Sequence, residues 1–284
     1  MKRVILAAAV VVAFIIMAGA WTGLQAQPAS ALNPQTVRVA GPVVPLHGSA
    51  SAGRVTFTFD DGPSAYTNAL LTEMRKLHIR GIFFVRGDQA SLYPQVIRDE
   101  LAAGSRVENH SFDHPSFTGA STGTPPLSRQ KVRAELAAGS RAIVAAGAPA
   151  PTLYRPPYGD ISPAANAVAA RLGLRIVQPF SVTHHGLMVD SRDWTGATPR
   201  QIAHAVEHGS DGHAGIRGGS VIAFHDGPEC PSRHSYSQSC HKSAVSVIRA
   251  LPLIVRWMNR HHLGMTTKVP ADATGGAVPA KEKS

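Results

Sequence analysis

Short apolar, β-prone runs alternate along this chain with longer stretches of helical periodicity. The runs lie at 54–59, 81–86, 105–108, 152–154, 173–180, 220–224 and near 263–268. Helical patterns fill the intervals at 65–78, 91–103, 128–146, 162–172, 198–207 and 242–261. Strand–helix alternation predicts a parallel sheet with crossover helices, an α/β architecture. Three inserts rich in Gly, Ser, Thr and Pro, at 116–127, 183–189 and 208–218, are expected to decorate its rim.

The ends of the chain follow different rules. Lys2 and Arg3 precede an uncharged apolar stretch from Val4 to Trp21, the pattern of an export signal. Leu24-Gln25-Ala26 and Ala29-Ser30-Ala31 are candidate cleavage sites. The stretch is also long enough to span a bilayer, so residues 1–26 read as a signal peptide or an uncleaved N-terminal anchor. Either way the rest of the chain is expected to be exported, secreted or held at the cell envelope. Residues 27–51, rich in Pro, Ala, Gly and Ser, read as a linker. Residues 52–269 form the folded domain and 270–284 a disordered tail. At 284 residues and 44% hydrophobic composition, the chain can bury one substantial core.

A net charge of +10 favours association with anionic wall polymers or lipid head groups. It does not point to nucleic acid, because no stripe of Lys and Arg with interleaved aromatics is present. Cys230 and Cys240 are the two cysteines. In an oxidising compartment such a pair reads as a disulfide. A zinc site using them with His234 and His241 fits no compact spacing motif. His184, His185, His204, His208 and His213, in or near the inserts, are expected at the surface.

The ends of the apolar runs carry the chemistry. Thr58-Phe59 leads into Asp60-Asp61-Gly62-Pro63, two adjacent carboxylates followed by a turn. Like charges side by side are costly unless a metal or an Arg lies beside them. The alternative reading is a turn that caps a helix beginning near Ser64, with Ser64 as N-cap. The third run leads to His110-Ser111-Phe112-Asp113-His114, two imidazoles at i and i+4, with Pro115 limiting any helix there to one turn. With Asp61 they make two imidazoles and one carboxylate, the ligand type of catalytic zinc sites. Thr152-Leu153-Tyr154 leads into Arg155-Pro156-Pro157-Tyr158-Gly159, and the 220–224 run leads into His225-Asp226-Gly227. Reactive residues gathered at the C-terminal ends of parallel strands are the layout of an α/β barrel active site.

Five motifs in order then make a specific resemblance: Thr58-Phe59-Asp60-Asp61-Gly62, His110 to His114, Arg155-Pro156-Pro157-Tyr158, Asp190-Ser191-Arg192-Asp193-Trp194, and Ala223-Phe224-His225. The chain resembles polysaccharide deacetylases of the chitooligosaccharide-deacetylase-like type, carbohydrate esterase family 4. The resemblance runs from about Arg54 to Thr267 and implies a distorted (β/α) barrel with one catalytic domain. It implies a divalent transition metal, Zn(II) with Co(II) as the second choice, held by Asp61, His110 and His114. Asp60 would be the general base, paired with Arg155, and His225 the general acid, its pKa raised by Asp193. The backbone N–H of Tyr158 would face the oxyanion, and Trp194 would wall the pocket. Ala223 departs from the family's usual Leu and opens the acyl pocket. The implied substrate is an N-acetylglucosamine polymer, of cell-wall peptidoglycan or chitin type. Two alternatives stay open, an esterase on O-acetylated xylan and a carbohydrate-binding barrel without turnover.

Overall fold

β1 (Arg54–Asp60) sets the plan of the fold, because its side chains alternate sharply in chemistry. Val55, Phe57 and Phe59 point into the main core beneath the helices, whereas Thr56, Thr58 and Asp60 point to the other face. The computed structural model describes residues 53–177, 187–227 and 238–270. After β1 come α1 (Thr67–Lys76), β2 (Gly81–Val85), α2 (Gly87–Leu92), α3 (Pro94–Ala102) and β3 (Arg106–Asn109). Next are α4 (Arg129–Ala145), β4 (Leu153–Tyr154), α5 (Pro163–Arg171), β5 (Arg175–Ile176) and β6 (Met188–Asp190). The last are α6 (Pro199–His208), β7 (Gly209–Ser210), β8 (His213–Ala214), β9 (Val221–His225), α7 (Gln238–Arg260) and β10 (Gly264–Met265).

The main sheet has the order β5-β4-β3-β2-β1-β9-β6, every pair parallel, with β10 adding beside the N-terminal end of β1. Its outer face is covered by helices, and Phe57, Phe59, Phe83 and Phe224 stack there with ring centroids 5.0 to 6.1 Å apart. The inner face carries two smaller apolar groups, Ile82, Phe84, Leu153 and Val177 on one side and Met188, Val221 and Ala223 on the other. Val269 packs against both groups, so the sheet curls around it into a half-barrel. The sequence expectation of a distorted barrel holds in this form. Among the described residues the sheet has free ends at β5 and β6 rather than a closed ring.

Several boundaries differ from the sequence reading. The helix expected at 91–103 is two, α2 and α3, broken at Tyr93 (φ −125°, ψ 51°). Pro94 is the cause, since the residue before a proline is pushed out of the helical region. β6 lies partly inside the expected 183–189 insert, and the 208–218 insert holds the antiparallel β7–β8 hairpin. Asp211 and Gly212 turn it with φ of 49° and 80°, as a tight hairpin turn requires. α1 starts at Thr67, with Tyr66 rather than Ser64 at its N-cap. α7 begins before the expected 242 and carries Pro252 within it. Of the 173–180 run, residues 175–176 form β5 and 178–180 lie outside the described residues, as do 1–52 and 271–284. The signal or anchor, the linker, the tail, the Cys230–Cys240 pairing, His184 and His185 therefore fall outside them as well. His204, His208 and His213 are exposed as expected. Among the described residues no helix is long and apolar enough to cross a membrane.

Candidate active site

Sheet register puts the two expected proton-transfer groups side by side. Asp60 of β1 is the ladder partner of His225 of β9, and Thr58 is the partner of Ala223. Partners in adjacent parallel strands share a face, so all four look into the half-barrel. The strand then ends: Asp61 takes φ 72°, breaking the alternation, and both carboxylates stay at the lip instead of diverging.

The two imidazoles converge by a different device from the helical turn that their spacing suggested. Residues 110–114 form a loop after β3, with Ser111 and His114 both at φ 67°. Asn109 Oδ1 accepts the N–H of Ser111 at 2.7 Å, and Ser111 Oγ accepts the N–H of His114 at 3.0 Å. Glu135 of α4 accepts the N–H groups of Phe112 and Asp113 at 3.1 and 3.2 Å. Gly139, one helical turn on, lets this loop lie against α4, since a Cβ there would meet the carbonyl oxygen of Ser111 at 2.6 Å. Sequence reasoning missed Asn109 and Glu135, which hold the ligand loop through backbone groups alone.

His110 and His114 place their Nε2 atoms 3.3 and 3.1 Å from Asp61 Oδ1. The three residues are buried, and their ligand atoms lie within 4.8 Å of one another. Among the described residues both carboxylate oxygens of Asp61 lack a hydrogen-bond partner, a costly arrangement for a buried anion unless a cation sits there. The Nδ1 of His110 lies 2.8 Å from the carbonyl oxygen of Arg155, to which it donates, leaving Nε2 as a lone-pair donor. Burial would raise the Asp61 carboxyl, but the His114 and His110 imidazoles outweigh it and hold it well below the usual carboxylate range. An ionised carboxylate and two imidazoles fit a divalent transition metal.

Asp60 is bound on its other side by Arg155, whose Nη1 lies 2.7 Å from Asp60 Oδ1 and 2.7 Å from Thr58 Oγ1. The guanidinium is 0% exposed and lies over the Phe84 ring at 4.3 Å. Burial lowers the Arg155 pKa, and the neighbouring Asp60 offsets only part of that.

His225 Nδ1 lies 2.9 Å from Asp193 Oδ1, and its backbone N–H donates to Asp193 Oδ2 at 2.9 Å. Asp193 is fully buried and is fixed in turn by Ser191 Oγ at 2.7 Å. Burial would lower the His225 pKa; Asp193 reverses this and raises it well above the ordinary imidazole value. A raised value keeps His225 protonated to higher pH, and that advantage disappears as pH rises through it. Asp193→Asn is therefore expected to move the alkaline limb of the kcat/KM profile to lower pH. An alkaline limb unmoved in this variant would separate Asp193 from the acid.

Asp60, His110, His114, Arg155 and His225 line a cavity of about 300 Å³. Tyr158, Trp194, Ala223 and Asp190 complete its walls. Tyr158 adopts φ 58°, ψ 5°, and its ring packs on His114 with centroids 4.5 Å apart, a contact that no sequence pattern signals. Trp194, 53% exposed, donates its indole N–H to Asp190 at 3.3 Å. Ser121, from the 116–127 insert, also reaches the cavity and is tied down by Asp160, which accepts from Ser121 Oγ at 2.7 Å and from Ser116.

The half-barrel thus gathers an Asp-His-His triad that could hold a metal ion at its C-terminal lip, flanked by an Arg-paired carboxylate and an Asp-paired imidazole. The sequence profile of the family described as polysaccharide deacetylase matches residues 47–177. The chitooligosaccharide deacetylase of Sinorhizobium fredii is 33% identical over 190 residues, covering 66% of this chain and 77% of that protein. The chain belongs to the polysaccharide deacetylase family. The peptidoglycan-N-acetylglucosamine deacetylase PgdA of Listeria monocytogenes is 31% identical over 194 residues, 68% of this chain and 36% of that one. Among solved structures, the family 4 carbohydrate esterase of Streptomyces lividans in complex with acetate superposes with a TM-score of 0.62 at 29% identity. That match covers 81% of this chain and 99% of the esterase. The chain spans about a quarter to a third of the length of the first curated relatives it matches.

Proposed function

We propose that this protein hydrolyses N-acetyl groups on an N-acetylglucosamine polymer of the cell envelope. The observation that carries the reading is the placement of Asp60 and His225 as ladder partners beside the Asp61-His110-His114 triad. A metal at the triad, zinc first and cobalt second, would when bound acidify the attacking water and polarise the acetamide oxygen. Asp60 takes a proton from the attacking water as the water oxygen bonds to the acetyl carbon. Arg155 holds Asp60 in position, and the backbone N–H of Tyr158 stabilises the charge developing on the acetyl oxygen. With its Nδ1 engaged by Asp193, His225 delivers the proton from Nε2 to the sugar nitrogen as the C–N bond breaks. The products are acetate and a free amine. Trp194 offers an exposed ring, held by Asp190, for a sugar face.

The relatives named for peptidoglycan and chitooligosaccharides support an acetylated glucosamine polymer as substrate, and peptidoglycan suits an exported protein. The apolar segment at 4–21 and the 27–51 linker support export, with membrane attachment if the segment is retained. The Cys230–Cys240 disulfide suits the same compartment, and the positive charge favours anionic wall polymers as a further partner.

The test is acetate release from N-acetylglucosamine oligomers and from O-acetylated xylan, with chelated and zinc- or cobalt-restored enzyme. We expect release from the N-acetyl oligomers, lost on chelation and regained with metal. Full activity without metal would remove the mechanism. Faster release from xylan would make the protein an esterase, and no release from either would make it a binding barrel.

Ala223 gives a finer expectation. It is 1% exposed, in the inner group with Met188 and Val221, and lines the cavity at the position where the family resemblance implies Leu. Phe224 points to the opposite face and cannot fill the space. The pocket should admit acyl groups slightly larger than acetyl, and Ala223→Leu should restore strict acetyl preference. Relative rates on N-acetyl and N-propionyl oligomers measure this; an unchanged ratio would mean that another residue closes the pocket.

A further inference from the structure

α6 and α7 enclose a groove of about 320 Å³ on the outside of the half-barrel. α7 leads into β10, which pairs with β1 at Arg54 and Val55, so Arg260 sits at the end of the sheet opposite Asp60. Helical spacing arranges the groove's basic groups in rows. Arg200, His204 and His208 stand at i, i+4 and i+8 on α6, and Arg256 and Arg260 at i and i+4 on α7 line the other side. At the helical rise the longer row extends about 12 Å, enough for more than one anionic group of an extended ligand.

The groove is under-neutralised. Glu207 is the one carboxylate among its lining residues. Burial raises its pKa, and His208, Arg260, His204 and His261 all act against that rise, so basic groups surround it. None of the guanidiniums of Arg200, Arg256 and Arg260 forms an ion pair among the described residues. The Arg256 Nε is buried without a hydrogen-bond partner. Trp257, packed against the core, stacks on His261 with centroids 3.7 Å apart and meets His208 edge-on at 6.3 Å, which fixes these imidazoles beside the groove. Guanidinium forks match phosphate and carboxylate.

We propose that this groove is a second glycan site, which holds an anionic sugar or polyol polymer bearing phosphate or carboxylate groups while the active site works on an acetylated chain. The choice of ligand rests on the charge reading above; the site itself does not depend on deacetylation. The experiment is calorimetric titration of the full chain, without turnover, so its failure and failure of the deacetylase reading are seen separately. The probes are poly(glycerol phosphate), polygalacturonate, the neutral N-acetylglucosamine hexamer and vesicles of anionic phospholipid. One or both anionic polymers should bind, with Kd rising with salt. R200Q/R260Q should raise that Kd roughly tenfold, while K131Q/R133Q, an equal charge loss at exposed positions of α4, should change it little. The preferred polymer identifies phosphate or carboxylate as the anion. If R200Q/R260Q fails to fold, R200Q alone at the exposed start of α6 should raise Kd about threefold. Equal weakening by both double variants, an unchanged Kd in R200Q/R260Q, or binding to vesicles alone would overturn the proposal.

Discussion

Asp60→Asn is expected to keep its metal and lose roughly 100-fold to 10,000-fold in turnover, the usual range for removal of a general base. Asn has nearly the same shape and can still accept a hydrogen bond from Arg155 at the oxygen that now sits 2.7 Å from Nη1. It cannot take a proton from water. Asp61→Ala is expected to behave in the opposite sense, because Asp61 supplies the only carboxylate of the triad and its oxygens have no hydrogen-bond partner among the described residues. Metal content by elemental analysis, read beside turnover, separates the two neighbours. A metal-free Asp60→Asn with a metal-loaded Asp61→Asn would reverse their assignments.

Arg155→Met should be the most damaging substitution for stability, at about 3–5 kcal/mol. The methionine fills much of the space over Phe84, so cavity formation is a minor part of the loss. What remains is a buried carboxylate, Asp60, without its counter-ion. Turnover should fall as well, since Asp60 loses the contact that orients it. Adding Asp60→Asn to the Arg155→Met background should recover part of the stability by removing the uncompensated charge. Denaturant unfolding of the two single variants and the double variant gives the coupling. Strictly additive losses would show that Arg155 acts through packing rather than through Asp60.

How much of this was legible in the sequence depends on where each residue's information lies. Asp60, Asp61, His110, His114, Arg155 and His225 were legible because each ends an apolar run, and strand ends converge in a parallel sheet. Asp193 was legible only through family resemblance, since a short turn after β6 carries no periodicity of its own. β6 itself was hidden because three residues give too little alternation to separate a strand from an insert. Asn109 and Glu135 act on backbone N–H groups, a role that any loop-holding polar residue could play, so no pattern marks them. The break at Tyr93 did have a signal, Pro94, which the helical pattern across 91–103 masked.

Because Asp60 and His225 are ladder partners, their spacing belongs to the sheet and not to any loop. Neighbouring strands are held about 4.8 Å apart by backbone hydrogen bonds that side-chain substitutions other than proline leave in place. The tolerances of the molecule are therefore unequal. Rim segments such as 116–127 and the β7–β8 hairpin can be lengthened, shortened or exchanged to suit a new polymer, with the acid and base remaining in register. The metal loop at 110–114 has no such insurance, since its shape depends on Asn109, Glu135 and the approach of Gly139. Engineers who retarget this scaffold can treat the outer rim as interchangeable and the α4 face beneath the histidines as fixed.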